Sequence, residues 1–337
     1  MKRKALMGAA LALLLTLVPE IVFSEAKTEM ERQKEAAALI AASKQYVLLK
    51  RNQWEIENSL SYSYYSANQI YLQSFAILDP VFLTLGEFGI ESARRHIFTY
   101  NLASRYGITR NLQMDVNFPF VYRHDLITIV GSSSSDSERT LNKAALGDIS
   151  FGLSYQPIAE TASAPGLVLN LAFKSESGKS PFNIDPKKEL PTGTGYPSIK
   201  GGVNLIKSID PVVVFGGVSY ALNMSKGGIN QTVTSTEGTT GILRSVDPGD
   251  TLSFNMGLAY ALSYKFSLNF QFQQDYTFST KANGRTAPNT ELNSAMMRIG
   301  AGWSLTPRTS LNVSVATGLT TDSPDFTVEI RIPILVF

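Results

Sequence analysis

Long stretches of alternating apolar and polar residues dominate this chain. Between residues 112 and 123, large apolar side chains occupy every second position, and most positions between them are polar. A helix would scatter those side chains around its surface, whereas a β-strand places them on one face. The pattern predicts twelve strands, at residues 54–66, 93–106, 111–124, 147–157, 166–176, 196–207, 211–223, 250–263, 265–279, 293–305, 308–318 and 324–337.

The length of these segments and the composition of their second face indicate a membrane barrel. Most have 11–15 residues, whereas strands of soluble sheets most often have about 5–6 and a tilted strand that crosses a bilayer needs about 9–11. The face opposite the aromatic side chains carries Ser, Gly, Asn and Gln, which suits the lining of a barrel. Backbone polar groups in lipid must be paired internally. The sequence therefore predicts an all-β fold, a transmembrane antiparallel up-and-down β-barrel of about 12 strands, with a soluble periplasmic β-protein as the alternative.

Short and long connections alternate between the predicted strands. The short ones are 108–111, 207–210, 263–265 and 306–308, with 158–165 of intermediate length. The long ones are 67–92, 125–146, 177–195, 224–249 and 280–292, and 319–323 is a short exception among them. Outer-membrane barrels have short turns on the periplasmic side and long loops outside. An even number of strands then leaves both termini in the periplasm of a bacterium.

The chain begins with two segments that do not belong to the barrel. Basic residues at 2–4, an apolar stretch at 5–18 and small residues before position 25 predict a signal peptide at 1–24, with a short membrane anchor as the alternative. Residues 25–49 lack Gly and Pro and are rich in Glu, Lys, Ala and Gln, so they are expected to be helical. We therefore divide the chain into a signal peptide (1–24), a helix (25–50) and a barrel (51–337).

The predicted helix has two interpretations. It either lies in the lumen as a plug, or hangs in the periplasm as a docking or homo-oligomerisation element. The charged side chains assigned to this plug or docking role are Arg32, Lys34, Glu35 and Lys44.

The last residue, Phe337, is an aromatic residue that ends an extended stretch. Such a last strand is expected to be the assembly signal that the barrel-assembly machinery recognises. The outward apolar positions run through Ile330, Ile332 and Ile334, which is the opposite parity from Phe337. The pattern therefore predicts a bulge or shift at Pro333.

Nine charged residues fall on the polar positions of the predicted strands: Arg105, Asp115, Arg123, Lys174, Lys200, Asp275, Arg298, Glu329 and Arg331. A charge that faces lipid at mid-depth costs about 2–4 kcal/mol, so these side chains are expected to face the lumen. They form either a network of salt bridges or a lining that selects solutes.

Few residues could carry chemistry. The chain has no Cys, which excludes disulfides, thiolate metal sites and cysteine nucleophiles. Its two His residues, His96 and His124, fall on outward positions near the outer ends of neighbouring strands. Asp residues at 247, 250, 322 and 325 lie beside Gly and Pro, as in capped turns. We therefore expect no enzyme, no cofactor and no metal, and the net charge of +2 gives no reason to expect a nucleic-acid partner.

Several segments together resemble a known family. They are 54–64, 105–112, 118–123, 147–155, 174–182, 190–193, 246–250, 307–312 and 323–326. These segments are similar to bacterial outer-membrane transporters associated with the meta-pathway of phenol degradation. That group also resembles the FapF-type channel of functional-amyloid secretion, which pairs a twelve-stranded barrel with an N-terminal helical plug and coiled coil.

The resemblance implies a function and partners. The leading expectation is passive passage of small aromatic or hydrophobic solutes across the outer membrane. The alternatives are a pore that secretes a protein or peptide, such as an amyloid subunit, and a non-conducting structural or adhesive barrel. The expected partners are outer-membrane lipid, lipopolysaccharide, the barrel-assembly machinery and a small solute, and homo-oligomerisation is left open.

Overall fold

The fold is a closed antiparallel β-barrel. The computed structural model describes residues 48–68, 90–129, 137–184, 188–234, 240–263, 265–287 and 290–336. Its strands are β1 (Trp54–Asn68), β2 (Ile90–Gly107), β3 (Leu112–Ile129), β4 (Ser137–Leu146), β5 (Ser150–Ile158), β6 (Gly166–Lys174), β7 (Ser198–Ile209), β8 (Val212–Asn223), β9 (Lys226–Thr234), β10 (Thr240–Asp247), β11 (Thr251–Ser263), β12 (Phe266–Thr277), β13 (Lys281–Ala282), β14 (Arg285–Thr286), β15 (Leu292–Thr306), β16 (Thr309–Gly318) and β17 (Phe326–Leu335). None of the residues in these ranges belongs to a helix that is long and apolar enough to span a membrane.

Twelve of these strands form the barrel wall. Their order around the ring is β1, β2, β3, β5, β6, β7, β8, β11, β12, β15, β16 and β17, and β17 pairs with β1 to close it. Each of the twelve predicted segments overlaps one of these strands, so the prediction of a twelve-stranded barrel is confirmed. The closed ring leaves no open sheet edge, as a β-structure in lipid requires.

The outward face of the wall is an apolar band. On β3, the side chains of Met114, Phe118, Phe120 and Tyr122 are 36–49% exposed. Comparable exposed aromatic or aliphatic side chains continue around the ring, for example on β5, β8 and β11. A continuous apolar surface of this kind is costly in water but is the normal outer face of a barrel in lipid. The alternating residues therefore divide into a lipid-facing set and a lumen-facing set.

A small second sheet extends the wall beyond the ends of the barrel strands. Strands β14, β13, β10 and β9 pair in that order, which matches the order of β15, β12, β11 and β8 below them. The sheet has its own apolar core of Phe182, Ile229, Leu243 and Val246, against which Tyr196 packs. Burial, with a smaller contribution from the Asp148 carboxylate, raises the pKa of Tyr196 to about 12, so this phenol stays neutral. Phe182 and Tyr196 thus pack the described parts of the connection between β6 and β7 against the extended wall.

Aspartates cap the ends of several strands, as predicted for turns. The Asp250 carboxylate accepts hydrogen bonds from the Asn223 N–H (3.0 Å) and the Tyr220 hydroxyl (2.8 Å). Asp322 accepts the Asn293 N–H (2.8 Å), and Asp247 lies 3.6 Å from the Lys281 ammonium. These contacts satisfy backbone donors at the points where the strand ladders stop.

The predicted bulge at Pro333 is wrong. The register of β17 against β1 runs without a shift from Tyr64–Phe326 to Glu55–Leu335, and Pro333 lies opposite Glu57 within it. Between β17 and β16, the pairing is interrupted at Pro333 and Ile332 and resumes at Arg331, because proline has no N–H to donate. The missing bond is accommodated without a change in register.

Several predictions concern residues that lie outside the described ranges. They include the signal peptide, the helix with Arg32, Lys34, Glu35 and Lys44, and the assembly signal Phe337. The domain boundaries and the roles of these residues stay predictions.

Candidate functional site

The lumen is the candidate functional site, because the inward positions of twelve strands converge there. All nine charged residues predicted from the polar positions lie on the inward side of their strands. The positions are Arg105, Asp115, Arg123, Lys174, Lys200, Asp275, Arg298, Glu329 and Arg331. Their placement follows from strand parity, whereas their part in solute selection stays a prediction.

Two groups of ion pairs lie on neighbouring strands of the wall, one on β1 and β2 and the other on β15 and β17. Arg105 donates to Glu55 (Nη1 to Oε1, 3.2 Å) and to Glu57 (Nη2 to Oε2, 3.4 Å). Arg298 donates to the Glu329 carboxylate, and Arg331 lies 3.8 Å from the same group. We call these six residues the charged arc. Glu55 and Glu57 were not among the predicted lumen residues, although they share the inward parity of the serines that follow them on β1.

A second ion-pair group lies toward the end of β2 and β3 that is distant from their short connection. The Asp125 side chain is 2% exposed and accepts hydrogen bonds from Arg95 (3.1 Å) and Arg123 (Nη2, 2.6 Å). A buried carboxylate needs such partners, because its desolvation is otherwise costly. Arg95 and Asp125 were not among the predicted lumen residues, although both have inward parity.

Other inward charges interact mainly with polar neighbours, and among them only Lys174 has a nearby counter-ion within the described residues. Asp115 accepts a hydrogen bond from Asn117 (3.2 Å), and Asp275 accepts one from Gln273 (2.8 Å). Lys174 donates to Thr194 (2.6 Å) and lies 3.9 Å from Asp148. Lys200 is exposed within the lumen, and no ion pair is seen for it among the described residues.

An apolar patch lines another part of the lumen. Ile206, Val213, Phe215, Ala259 and Ala261 form a contiguous buried cluster on the inward positions of β7, β8 and β11. This patch was not predicted from the sequence. β8 begins with Val212, Val213, Val214 and Phe215, so apolar residues occupy both of its faces and the inward ones cannot be recognised by alternation. We call these five residues the apolar patch.

The apolar patch and the charged arc face each other across the lumen. In the ring of twelve strands, β8 is six strands from β1 and therefore lies on the opposite side. The patch lies near the short connection between β7 and β8, and the ion pairs of Arg105 lie near the short connection between β2 and β3. At this end the lumen thus has one apolar side and one charged side.

Inward glycines let lining side chains lie flat against the wall. The Phe215 ring covers Gly257, where a Cβ atom would lie 2.6 Å from Cζ. Asn269 covers Gly300 in the same way, where a Cβ would lie 2.6 Å from Oδ1. Because these side chains lie along the wall, they line the lumen without projecting far across it.

The segment before β1 lies against the inner side of the wall. The Leu49 N–H donates to the inward side chain of Gln113 (2.8 Å), and Leu49 is buried. The Asn52 N–H donates to the Gly107 carbonyl (2.7 Å), and the Lys50 carbonyl packs where a Gly107 side chain would be. Residues 49–52 are thus anchored to the inner side of the wall, where β2 ends and β3 begins.

The lumen offers no obvious metal centre. In the parts of the chain that the structure describes, no three His, Asp or Glu side chains converge as metal ligands would. The chemistry that these residues offer is therefore ion pairing, hydrogen bonding and apolar contact.

Residues 95–334 match the family model described as "Putative MetA-pathway of phenol degradation". The chain belongs to this family. The match covers most of the barrel, from β2 to β17, and it confirms the family resemblance seen in the sequence segments. The relation to the amyloid-secretion channel stays a prediction.

Solved structures share the fold. An outer membrane channel from Pseudomonas putida F1 aligns with a TM-score of 0.59 and 12% identity, over 86% of this chain and 97% of that one. The translocator domain of the autotransporter NalP from Neisseria meningitidis gives 0.48 and 10%, over 90% and 95%. The toluene transporter TodX from P. putida gives 0.42 and 11%, over 89% and 92%. The fold assignment rests on the first, and it gives this family member the fold of an outer-membrane barrel.

Proposed function

We propose that the protein is a passive outer-membrane channel for small solutes that have an apolar or aromatic body. The observation that carries the proposal is the apolar patch around Phe215, which lies across the lumen from the charged arc. An apolar surface inside a polar lumen attracts apolar solutes, because their contact with water is reduced there. The family description, which refers to phenol degradation, agrees with this class of solute.

The charged arc gives the same region a second property. Its carboxylates and guanidinium groups are paired with one another, so their field partly cancels. A solute with a single hydroxyl or carboxylate group can then hydrogen-bond on the charged side and, at another point of its passage, contact the apolar side with its ring. A channel must bind its solute weakly enough to release it. A single small apolar patch is expected to bind the solute only weakly.

Replacement of Phe215 tests this proposal in single-channel recordings. We expect an aromatic solute such as phenol to cause brief current blocks in the wild type and far fewer in Phe215→Ser, because the apolar contact is lost. Val214→Ser is the matched control, since Val214 neighbours Phe215 but is 45% exposed on the lipid side. An equal frequency of current blocks in Phe215→Ser and the wild type would show that the solute does not contact the apolar patch.

We also propose that both termini lie in the periplasm and that the β9–β10 and β13–β14 hairpins lie outside the cell. The support is the alternation of short and long connections.

Labelling of single cysteines tests this orientation, because the chain has no Cys of its own that would react. We expect Arg285→Cys, at the exposed start of β14 beside the β13–β14 turn, to react with a membrane-impermeant maleimide on intact cells. Arg110→Cys, in the exposed turn between β2 and β3, should react only after lysis, and the reverse pattern would invert the orientation.

We further propose that the N-terminal segment restricts the lumen. The support is the anchoring of Leu49 and Lys50 against Gln113 and Gly107, which directs the chain along the inner side of the wall. In this proposal, Arg32, Lys34, Glu35 and Lys44 pair with lumenal charges of opposite sign. Recognition of Phe337 by the assembly machinery, contact with lipopolysaccharide and homo-oligomerisation are kept as predictions.

A further inference from the structure

The two histidines of this protein meet on the outer face of the barrel. The chain has no others, and His96 on β2 is directly opposite His124 on β3. Their ring centroids are 5.7 Å apart. Both residues have the outward parity of Phe98, Phe120 and Tyr122. The barrel thus brings together two side chains that lie 28 positions apart in the sequence.

Each imidazole is already hydrogen-bonded through one ring nitrogen. The Tyr62 hydroxyl lies 2.8 Å from Nδ1 of His96. Nδ1 of His124 donates to the carbonyl oxygen of the Asn142 side chain. A proton on Nδ1, as at His124, leaves the lone pair on Nε2, and this is how histidines are oriented and held when they bind a metal. His96 offers the same lone pair in the tautomer whose Nδ1–H donates to the Tyr62 hydroxyl oxygen. Tyr62 and Asn142 therefore stand as positioning residues for the two rings.

The pair lies where the outer face changes from apolar to polar. Phe98 and Tyr122 are neighbouring aromatic residues on the same strands, with centroids 6.1 Å apart, and they belong to the apolar band. Two residues beyond His96, on the same outward face, the Arg94 side chain is exposed. The imidazoles thus lie between the apolar band and the exposed Arg94, at the rim of the lipid-facing surface.

We propose that His96 and His124 form an open binding site for a divalent transition-metal ion such as Cu²⁺ or Zn²⁺. Imidazole nitrogen is a good ligand for both ions, with Zn–N distances of about 2.0–2.1 Å. A closed structural site has four protein ligands, whereas this one supplies two and leaves the remaining positions to water. The bound ion would join β2 to β3 at the rim. The proposal is independent of solute passage, because neither histidine faces the lumen.

Cu²⁺ titration of the full-length mature protein in detergent tests the proposal, with any His-containing purification tag removed. We expect one Cu²⁺ to bind per chain, with electron paramagnetic resonance coupling to two imidazole nitrogens. The absence of Cys and of other His residues means that no third imidazole or thiolate contributes to the signal. Saturable binding without nitrogen coupling, or no saturable binding, would overturn the site.

Substitutions separate the ligands from their positioning residues. His96→Phe and His124→Phe keep an aromatic ring at the rim, and each is expected to leave coupling to a single nitrogen and to weaken binding. Asn142→Leu is expected to keep both nitrogens but to weaken the affinity about 10–100-fold, as for other partners that orient a ligand. Unchanged affinity in both His variants, with folding verified by heat-modifiable electrophoretic mobility, would contradict the proposal.

Arg94 distinguishes a cation site from an anion site. If the ligand is a metal ion, Arg94→Gln should tighten binding, because a nearby positive charge is removed. If the pair instead holds a phosphate of an outer-leaflet lipid, the wild type should show no saturable Cu²⁺ binding, and Arg94→Gln should weaken retention of that lipid. That second result would overturn the metal site.

Discussion

Leu258→Arg is expected to prevent assembly of the barrel. Leu258 lies on the outward side of β11, between Val214 on β8 and Phe270 on β12, and it is 39% exposed in the apolar band. An arginine there puts a charge into lipid, which costs about 2–4 kcal/mol near the middle of a bilayer. The amount of heat-modifiable, folded protein in the outer membrane measures the effect.

Asn255→Arg is the matched control on the same strand. Asn255 has inward parity and is opposite Gly217 and Gln273. An arginine at this position meets the lumen, so we expect normal assembly and a shift of ion selectivity toward anions. Equal loss of folded protein from both substitutions would mean that the two faces of β11 do not differ as proposed.

Deletion of residues 25–47, with the signal peptide retained, is expected to raise single-channel conductance. The wall begins at Trp54 and its ring closes between β1 and β17, so the deleted residues are not needed to form the barrel. A helix is about 10–12 Å across with its side chains and can partly fill a barrel of this size. Because pairing between helix and lumen charges is screened by salt, the difference in conductance should narrow as ionic strength rises.

The anchor at residues 49–52 provides an intermediate case. Gln113→Met removes the acceptor of the Leu49 N–H at similar side-chain size. We expect its channel to fluctuate between the conductance of the wild type and that of the deletion. Unchanged conductance in the deletion would leave only the periplasmic docking role, and loss of the folded barrel would show that the segment belongs to the core.

The barrel could be predicted because most of its strands show the alternation of apolar and polar residues that the fold requires. Lipid on one side and a polar lumen on the other impose alternation, so the parity of Leu112 to Arg123 fixed both faces of β3. The same parity places the nine charged residues, and it extends to Glu55, Glu57, Arg95 and Asp125, which the sequence analysis did not select.

Other parts of the molecule depend on contacts between segments that are distant in sequence. Strands β4, β9, β10, β13 and β14 fall in predicted loops, and the pairing of β10 with β13 joins two different connections. The apolar patch lies on strands such as β8 that have apolar residues on both faces, so periodicity cannot separate its inward side. The contact between the two histidines depends on the register of β2 against β3. That register cannot be read from the sequence of either strand alone.

Uptake by cells whose outer membrane lacks other general channels tests the central claim most directly. The measurement is the initial rate of entry of an aromatic solute at low concentration, with and without this protein, and with and without a protonophore. We predict that the protein raises the rate in proportion to the external concentration and that the protonophore leaves this increase unchanged. A rate equal to that of cells without the protein, or an increase abolished by the protonophore, would contradict passive passage through the barrel.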